Sequence, residues 1–159
     1  AARWAPSSGN AQPWRYLVFD ETVPAARQTA RDLLKRGNSW ARAAPVLLLS
    51  VVRTTWPDSD DPNRVALHDV GAASMALCLQ AVALGLVAHQ MGGFDVEGAS
   101  TAFGLPEHHD PVAMIALGHP GDPDALPERL RERESKARER HALSELARLG
   151  DFDGPGFAH

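Results

Sequence analysis

Three stretches of this chain carry residue types that could do chemistry on a bound ligand. The first is Pro6-Ser7-Ser8-Gly9-Asn10-Ala11-Gln12-Pro13-Trp14, which places two hydroxyls and two amides between stiffening prolines. Such a loop offers donors and acceptors to a ligand rich in carbonyls, ring nitrogens and sugar hydroxyls. A plain connection from a helix to a strand would use the same residues to satisfy local backbone groups. The second is Gln90-Met91-Gly92-Gly93-Phe94-Asp95. Paired glycines lack Cβ atoms, so the main chain can approach a flat ligand and present an N–H to a ring nitrogen. A turn with Asp95 as the N-cap of a following helix accounts for the same residues. The third is the charged run from Leu126 to Arg140. Glu132–Lys136 and Glu134–Arg138 have the i,i+4 spacing of an exposed helix. Its Arg138-x-Arg140 pair suits bidentate capture of a phosphate, although a solvated face would look alike.

Other chemistries find little support. His108-His109-Asp110 is an adjacent set rather than an i,i+4 pair, and His89 reads as structural, so no metal site is expected. No Gly-x-Ser-x-Gly, Walker or Rossmann pattern occurs. A single cysteine, Cys78, leaves no internal disulfide or thiolate zinc cluster, and a reducing cytoplasm is the expected setting. The net charge of -4 gives no electrostatic footprint for nucleic acid or an anionic membrane.

These loops must be carried by regular elements. The 159 residues, 44% hydrophobic and 23% charged, suit one domain with its own core. Alternation predicts a strand over Trp14–Phe19, and the continuous apolar run from Pro45 to Val52 predicts a fully buried one. Leu86–His89 and Val112–Leu117 complete the strands. Helices are expected over Pro24–Arg36, stopped by Gly37-Asn38, over Asp69–Leu84, capped by Asp69, and over Asp95–Phe103. The polar stretch from Thr54 to Arg64 should be an exposed loop, Pro127 to Arg140 a charged helix or arm, and Gly150 to His159 a tail. The segment from Ala72 to Ala88 is apolar on every side. Gln80 interrupts it and Gly85 breaks it short of a bilayer span, so burial in a core or a subunit interface is expected. No secretory signal is expected from the opening residues, and Ala1-Ala2-Arg3-Trp4-Ala5 reads as the last turn of a helix.

Each signal alone is modest, but their order is specific. Arg3-Trp4-Ala5-Pro6-Ser7-Ser8-Gly9-Asn10-Ala11-Gln12-Pro13-Trp14-Arg15 closely resembles a loop of the FMN-dependent nitroreductase family. His68-Asp69-Val70-Gly71-Ala72-Ala73, with Leu79-Gln80-Ala81 and Ala83-Leu84-Gly85-Leu86, is similar to its central helix. His89-Gln90-Met91-Gly92-Gly93-Phe94-Asp95 is similar to the flavin-edge bend of one subgroup, and Pro111 to Asp122 to the last core strand. The resemblance implies a nitroreductase-like α/β (α+β) sandwich, a central mixed sheet with a long buried helix, spanning 1–159 as one domain without the family's opening segment. It also implies a homodimer with FMN at the interface. Ser7, Ser8, Asn10 and Gln12 would reach the flavin from the partner chain. Met91, Gly92 and Gly93 would face its N5 edge, Asn38 would touch the ring, and Arg138 and Arg140 would lie near the phosphate. Chemistry would belong to the flavin rather than to a catalytic side chain, with NAD(P)H as electron donor and a small nitroaromatic, quinone or enone as acceptor. A flavin-free dimeric binding module on the same fold is the alternative. Ala76 stands where relatives often carry Asn, and Asp151-Phe152-Asp153 replaces the Trp-Gly ending of the subgroup.

Overall fold

The computed structural model describes residues 1–157. The chain forms two compact units, Ala1–Pro120 and Gly121–His159.

The first unit is built on a four-stranded sheet in the order β1-β2-β4-β3. Its strands are β1 (Trp14–Phe19), β2 (Val46–Arg53), β3 (Val87–Met91) and β4 (His109–Gly118). The expected mixed sheet is instead antiparallel in all three pairings. The reason lies in the threading. β2 and β3 point the same way, joined by a helical crossover, but β4 lies between them and runs opposite to both. Helices of this unit are α1 (Pro24–Asp32), α2 (Ala66–Ala83) and α3 (Val96–Ala102).

Side chains of β2 alternate between two faces, and each face has its own core. Leu47, Leu49 and Val51 join Phe19, Ala30, Leu34, Met91, Phe94 and Met114 on the side of α1 and α3. Val52 joins Trp14, Ala66, Val70 and Ala73 beneath α2. The register slips between Ser50 and Val51, where Ala113 and then Pro111 are the partners. Proline has no N–H for a ladder and is tolerated in a strand at such a bulge. There the buried Ser50 hydroxyl donates to the Ala113 carbonyl (3.0 Å) and accepts from its amide (3.1 Å). β4 therefore starts three residues before the apolar run that announces it.

Two helices depart from expectation for tertiary reasons. α1 begins at Pro24 as expected but stops at Asp32, because residues 33–35 are drawn into pairing with 93–95. Leu34 bridges Phe94, Lys35 N–H donates to Gly93 O (3.1 Å), and Asp95 N–H donates to Leu33 O (2.9 Å). Gly37 and Asn38 fall not at a helix stop but inside a 3-10 stretch, Arg36–Ala43. α2 begins three residues before Asp69. Its turn is opened by Asn63, whose carbonyl accepts from Ala66 N–H and whose Oδ1 accepts from Val65 N–H. The helix expected to be buried in a core or a subunit interface is, within the single chain, buried on one side only. Ala66, Asp69, Val70, Ala73, Ser74 and Ala81 face the sheet, while Leu67, Met75, Leu79 and Val82 are 50–64% exposed. By length and composition alone its 18 residues, mean hydropathy 1.3, would also meet the requirement for a membrane span.

The second unit holds α4 (Glu128–Ser135) and the short α5 (Leu143–Leu146). α4 ends at Ser135, with Lys136 already extended. Lys136 and Arg138 thus lie beyond the helix, and the two i,i+4 pairs expected on it do not form. The expected tail folds back on itself within the described residues: Arg148 bridges Gly156, and Phe157 N–H donates to Ala147 O (2.8 Å). Its last two residues lie outside the described residues.

Candidate functional site

Two of the three candidate stretches leave the same end of the sheet from opposite edge strands. Residues 6–13 lead into β1 and lie beside the end of β2, where Arg53 N–H donates to Pro13 O (2.8 Å). Gly92 and Gly93 follow β3. Three inter-strand steps separate these edges, roughly 14 Å.

The first loop is tightly specified. Ser8–Asn10 form a 3-10 turn, and Gly9, Asn10 and Gln12 take left-handed backbone, with φ of 55°, 55° and 47°. Left-handed backbone at Asn10 and Gln12 costs on the order of 1 kcal/mol each and needs support from outside the turn. That support is visible. Ser8 N–H donates to Oδ2 of Asp69 on α2 (3.0 Å), and Gln12 N–H donates to Ser7 Oγ (3.0 Å). Gln12 Nε2 donates to Asn10 O (3.2 Å), and Arg15 Nη1 to Gln12 O (3.0 Å). Ser7 Oγ still has its proton to donate, and the Ser8 hydroxyl and Asn10 amide are exposed. Asp69 is thus not the helix cap expected of it. It lies inside the first turn of α2, 5% exposed, and its carboxylate is spent on the loop.

The second loop is held from both ends. Phe94 is fully buried, and the Asp95 carboxylate accepts from Gly98 N–H (3.0 Å), capping α3 as expected. Asn38 Nδ2 donates to Gly93 O (3.0 Å), so Asn38, Met91, Gly92 and Gly93 are brought together as one group. A Cβ on Gly93 would lie 2.6 Å from Asn38 Nδ2, whereas one on Gly92 would meet nothing within 4 Å. Among the described residues neither glycine N–H has an acceptor. The edge of this bend offers free amide donors beside open space.

Arg138 and Arg140 lie in the second unit. Both are exposed, and Arg140 Nη1 donates to the neighbouring Glu139 O (2.7 Å).

Polar contacts join α2 to both edge strands, β1 through Tyr16 and β3 through Gln90. Tyr16 Oη and Ser74 Oγ are 2.9 Å apart, and Gln90 Nε2 donates to Cys78 Sγ (3.5 Å). Burial raises the Tyr16 phenol above its ordinary value, the Ser74 hydrogen bond opposes this, and Cys78 adds to it. His89 is packed edge-on against Trp40, centroids 5.0 Å apart, in keeping with a structural role.

The pattern of the Nitroreductase family matches residues 1–119. This chain belongs to the nitroreductase family. A protein of Mycolicibacterium smegmatis, an uncharacterized 15.4 kDa protein, is 45% identical over 127 residues, covering 80% of this chain and 84% of its own. A Bacillus subtilis (strain 168) protein named "Putative NAD(P)H nitroreductase YdgI" is 26% identical over 76% of this chain and 74% of its own. Among solved structures, an oxidoreductase containing FMN superposes with a TM-score of 0.88 at 34% identity, over 97% of this chain and 79% of that one. The nitroreductase-family fold expected from the loop, helix and bend motifs is therefore the fold of this chain.

Two residues at the first loop gave no functional signal in the sequence. Asp69 looked like a cap because it stands at the head of an apolar run. Trp56, in the polar stretch 54–64, lies where a Cβ on Gly9 would touch its ring at 3.6 Å. An acidic residue one turn inside an apolar helix was the available clue for the first; nothing marked the second.

Proposed function

We propose that this nitroreductase-family chain is an FMN-dependent oxidoreductase that takes a hydride from NAD(P)H and delivers it to a small organic acceptor, working as a homodimer. The observation that carries this reading is the Gly92-Gly93 bend. Its two amides lack acceptors, open space lies over Gly92, and Asn38 fixes the adjacent carbonyl. That donor set fits the electron-accepting edge of a flavin, where charge builds on reduction, and preorganised amides stabilise such charge without a catalytic acid.

FMN, when bound, supplies the hydride-accepting and hydride-donating atom. The chain's own residues bind and orient. Gly92 and Gly93 donate amides to the ring edge, and Asn38 holds their peptide in place. Ser7, Ser8, Asn10 and Gln12 present hydroxyls and amides to the ring from a second copy, and Met91 seats the bend in the core. Arg138 and Arg140 take the phosphate. Nicotinamide and acceptor use one slot in turn, in ping-pong fashion.

The homodimer is supported by two features of the single chain. The donor loop and the glycine bend sit on opposite sheet edges, so one copy does not present both to one side of a ring. Leu67, Met75, Leu79 and Val82 leave an apolar stripe on α2 that a second copy would cover. We further propose that residues 1–159 make one functional domain and that the protein works in the cytoplasm, where the lone thiol Cys78 stays reduced.

The colour of the purified protein tests this reading. A yellow preparation, bleached by NADH or NADPH without oxygen and recoloured by a nitroaromatic or quinone, is the expected outcome. A colourless protein that takes up no added FMN overturns it and favours the flavin-free module.

A further inference from the structure

We propose that Asp69 is a positioning residue for the Ser7–Gln12 loop and that Trp56 is its counterpart, the two clamping the loop in its ligand-presenting form before any ligand arrives. The inference rests on the flavin reading for the identity of the ligand, but the clamp itself does not.

Asp69 is the odd residue on its helix face. Its neighbours toward the sheet are Ala66, Val70 and Ala73, and it is 5% exposed. Among the described residues no cation lies within ion-pair distance of it. A buried carboxylate without a cation is expensive to keep, and packing alone would be served better by alanine or leucine. What it does instead is accept Ser8 N–H at 3.0 Å, across 61 residues of sequence. Such a charge-assisted bond is stronger than a neutral one and directional. It grips the residue that precedes Gly9, the first of the left-handed positions.

Trp56 meets the loop one residue later. Its own backbone is fixed: Trp56 N–H donates to Asp61 O (3.0 Å), Thr55 bridges Pro62, and Thr54 N–H donates to His108 O (2.8 Å). The stretch 54–64 is therefore a braced hairpin rather than a slack loop. Its indole lies at the spot where Gly9 has only hydrogen, with 3.6 Å to a notional Cβ. Gly9 answers the demand of a φ of +55°, and the Trp56 ring stands at ordinary contact distance from where its Cβ would be.

The division of labour is plain. Asp69 engages only the backbone of the turn, at Ser8 N–H, and the Trp56 ring stands on the side of Gly9 where a side chain would project. The Ser8 hydroxyl and the Asn10 amide are left exposed and unspent, ready for a ligand. A loop already ordered loses less freedom on binding, so the clamp converts directly into affinity.

The test compares Asp69→Ala, Asp69→Asn and Trp56→Ala with Val70→Ala, a buried neighbour on the same helix whose side chain can make no hydrogen bond to the loop. Two quantities are read: amide exchange of Ser8 and Asn10 by NMR in flavin-free protein, and FMN affinity from quenching of flavin fluorescence. Loss of one charge-assisted bond predicts roughly 10-fold faster Ser8 exchange and roughly 10-fold weaker FMN binding in Asp69→Ala. Asp69→Asn keeps an acceptor oxygen and should stay within about 3-fold of wild type in both. Trp56→Ala, at a partly buried site, should speed exchange of the Asn10 backbone N–H and weaken FMN, with a smaller loss of melting temperature than Val70→Ala. Val70→Ala should lower the melting temperature and leave both readouts alone. The proposal is overturned if Asp69→Ala keeps Ser8 protected, or if Val70→Ala reproduces its losses. Should Asp69→Ala not fold, the Trp56→Ala and Asp69→Asn comparison still decides. If wild type takes up no FMN the flavin reading falls, while the exchange data on flavin-free protein judge the clamp on their own.

Discussion

Replacing Gly92 with alanine isolates the close approach of a ligand from everything else the bend does. In the free chain a Cβ at this position meets nothing within 4 Å, and the residue's φ is not left-handed. The folded state should accept the methyl without strain, and the unfolded chain loses freedom. The expected change is a gain of about 0.4–1 kcal/mol in stability. For a chain of this size that raises the melting temperature by roughly 1–4 °C. A ring lying against the Gly92 backbone would collide with the same methyl. Overfilling a packed contact costs about 1–3 kcal/mol, so FMN affinity should fall roughly 5- to 150-fold. The assay is fluorescence titration of FMN into flavin-free protein, with thermal melts followed by circular dichroism. Gly93→Ala is the companion, because its Cβ would lie 2.6 Å from Asn38 Nδ2 and break that side chain's bond to Gly93 O. It should lower stability by about 0.5–1.5 kcal/mol as well as weaken FMN. If Gly92→Ala binds FMN as tightly as wild type, no flat ligand rests on that backbone and the assignment of the bend fails.

Leu79→Glu places a charge on the apolar stripe of α2, where Leu79 is 60% exposed; light scattering should find a dimer become a monomer with little loss of helix signal. Arg138→Ala with Arg140→Ala should cost FMN retention on gel filtration at moderate salt; unchanged retention removes them from the site. Tyr16 is the chain's single tyrosine, so ultraviolet difference absorbance reads its titration directly. Burial raises its pKa in the folded state, and the folded form therefore holds the proton longer than the unfolded one. Its contribution to stability is complete below the ordinary value of 10.0 and declines as pH rises through the folded value, so Tyr16→Phe should flatten the alkaline limb of the stability profile.

How far the sequence could be read depended on whether local pattern or distant contact set each feature. β1 spans Trp14 to Phe19 as its alternation predicts, since the period-two signal lies within the strand itself and needs no distant contact to be read. The grouping of Met91, Gly92 and Gly93 beside Asn38 was visible only through family likeness; no local rule joins residues 55 positions apart. α1 came out shorter because two backbone bonds to 93–95 outbid its helical propensity at residues 33–35. Asp69 was misread as a cap because capping and long-range clamping both favour an acid near a helix start, and only the position of Ser8 separates them. Trp56 could not be found at all, since its relation to Gly9 exists only once the 54–64 hairpin is folded.

α2 carries polar groups among the alanines of its inward face and large apolar groups on its outward face, and both features have the same origin. Three of its polar side chains reach partners in the fold, Asp69 toward Ser8, Ser74 toward Tyr16 and Cys78 toward Gln90, while His68 and Gln80 are exposed. Its large apolar side chains face outward at Leu67, Met75, Leu79 and Val82. A helix that only shielded the sheet from water would place its acids outside and its leucines inside. Inward polar groups make sense if the helix holds loops in place, because a hydrogen bond fixes direction where apolar contact does not. Outward apolar groups make sense if the helix is also the seam between two copies. On the proposed function these tasks belong on one element. Ser8 and Asn10 serve a ring held by the other copy, so the distance from loop to ring is set by how the loop sits on α2 and how α2 sits on its twin. Asp69 fixes the first, the leucine stripe the second, and one rigid helix keeps the two errors from adding.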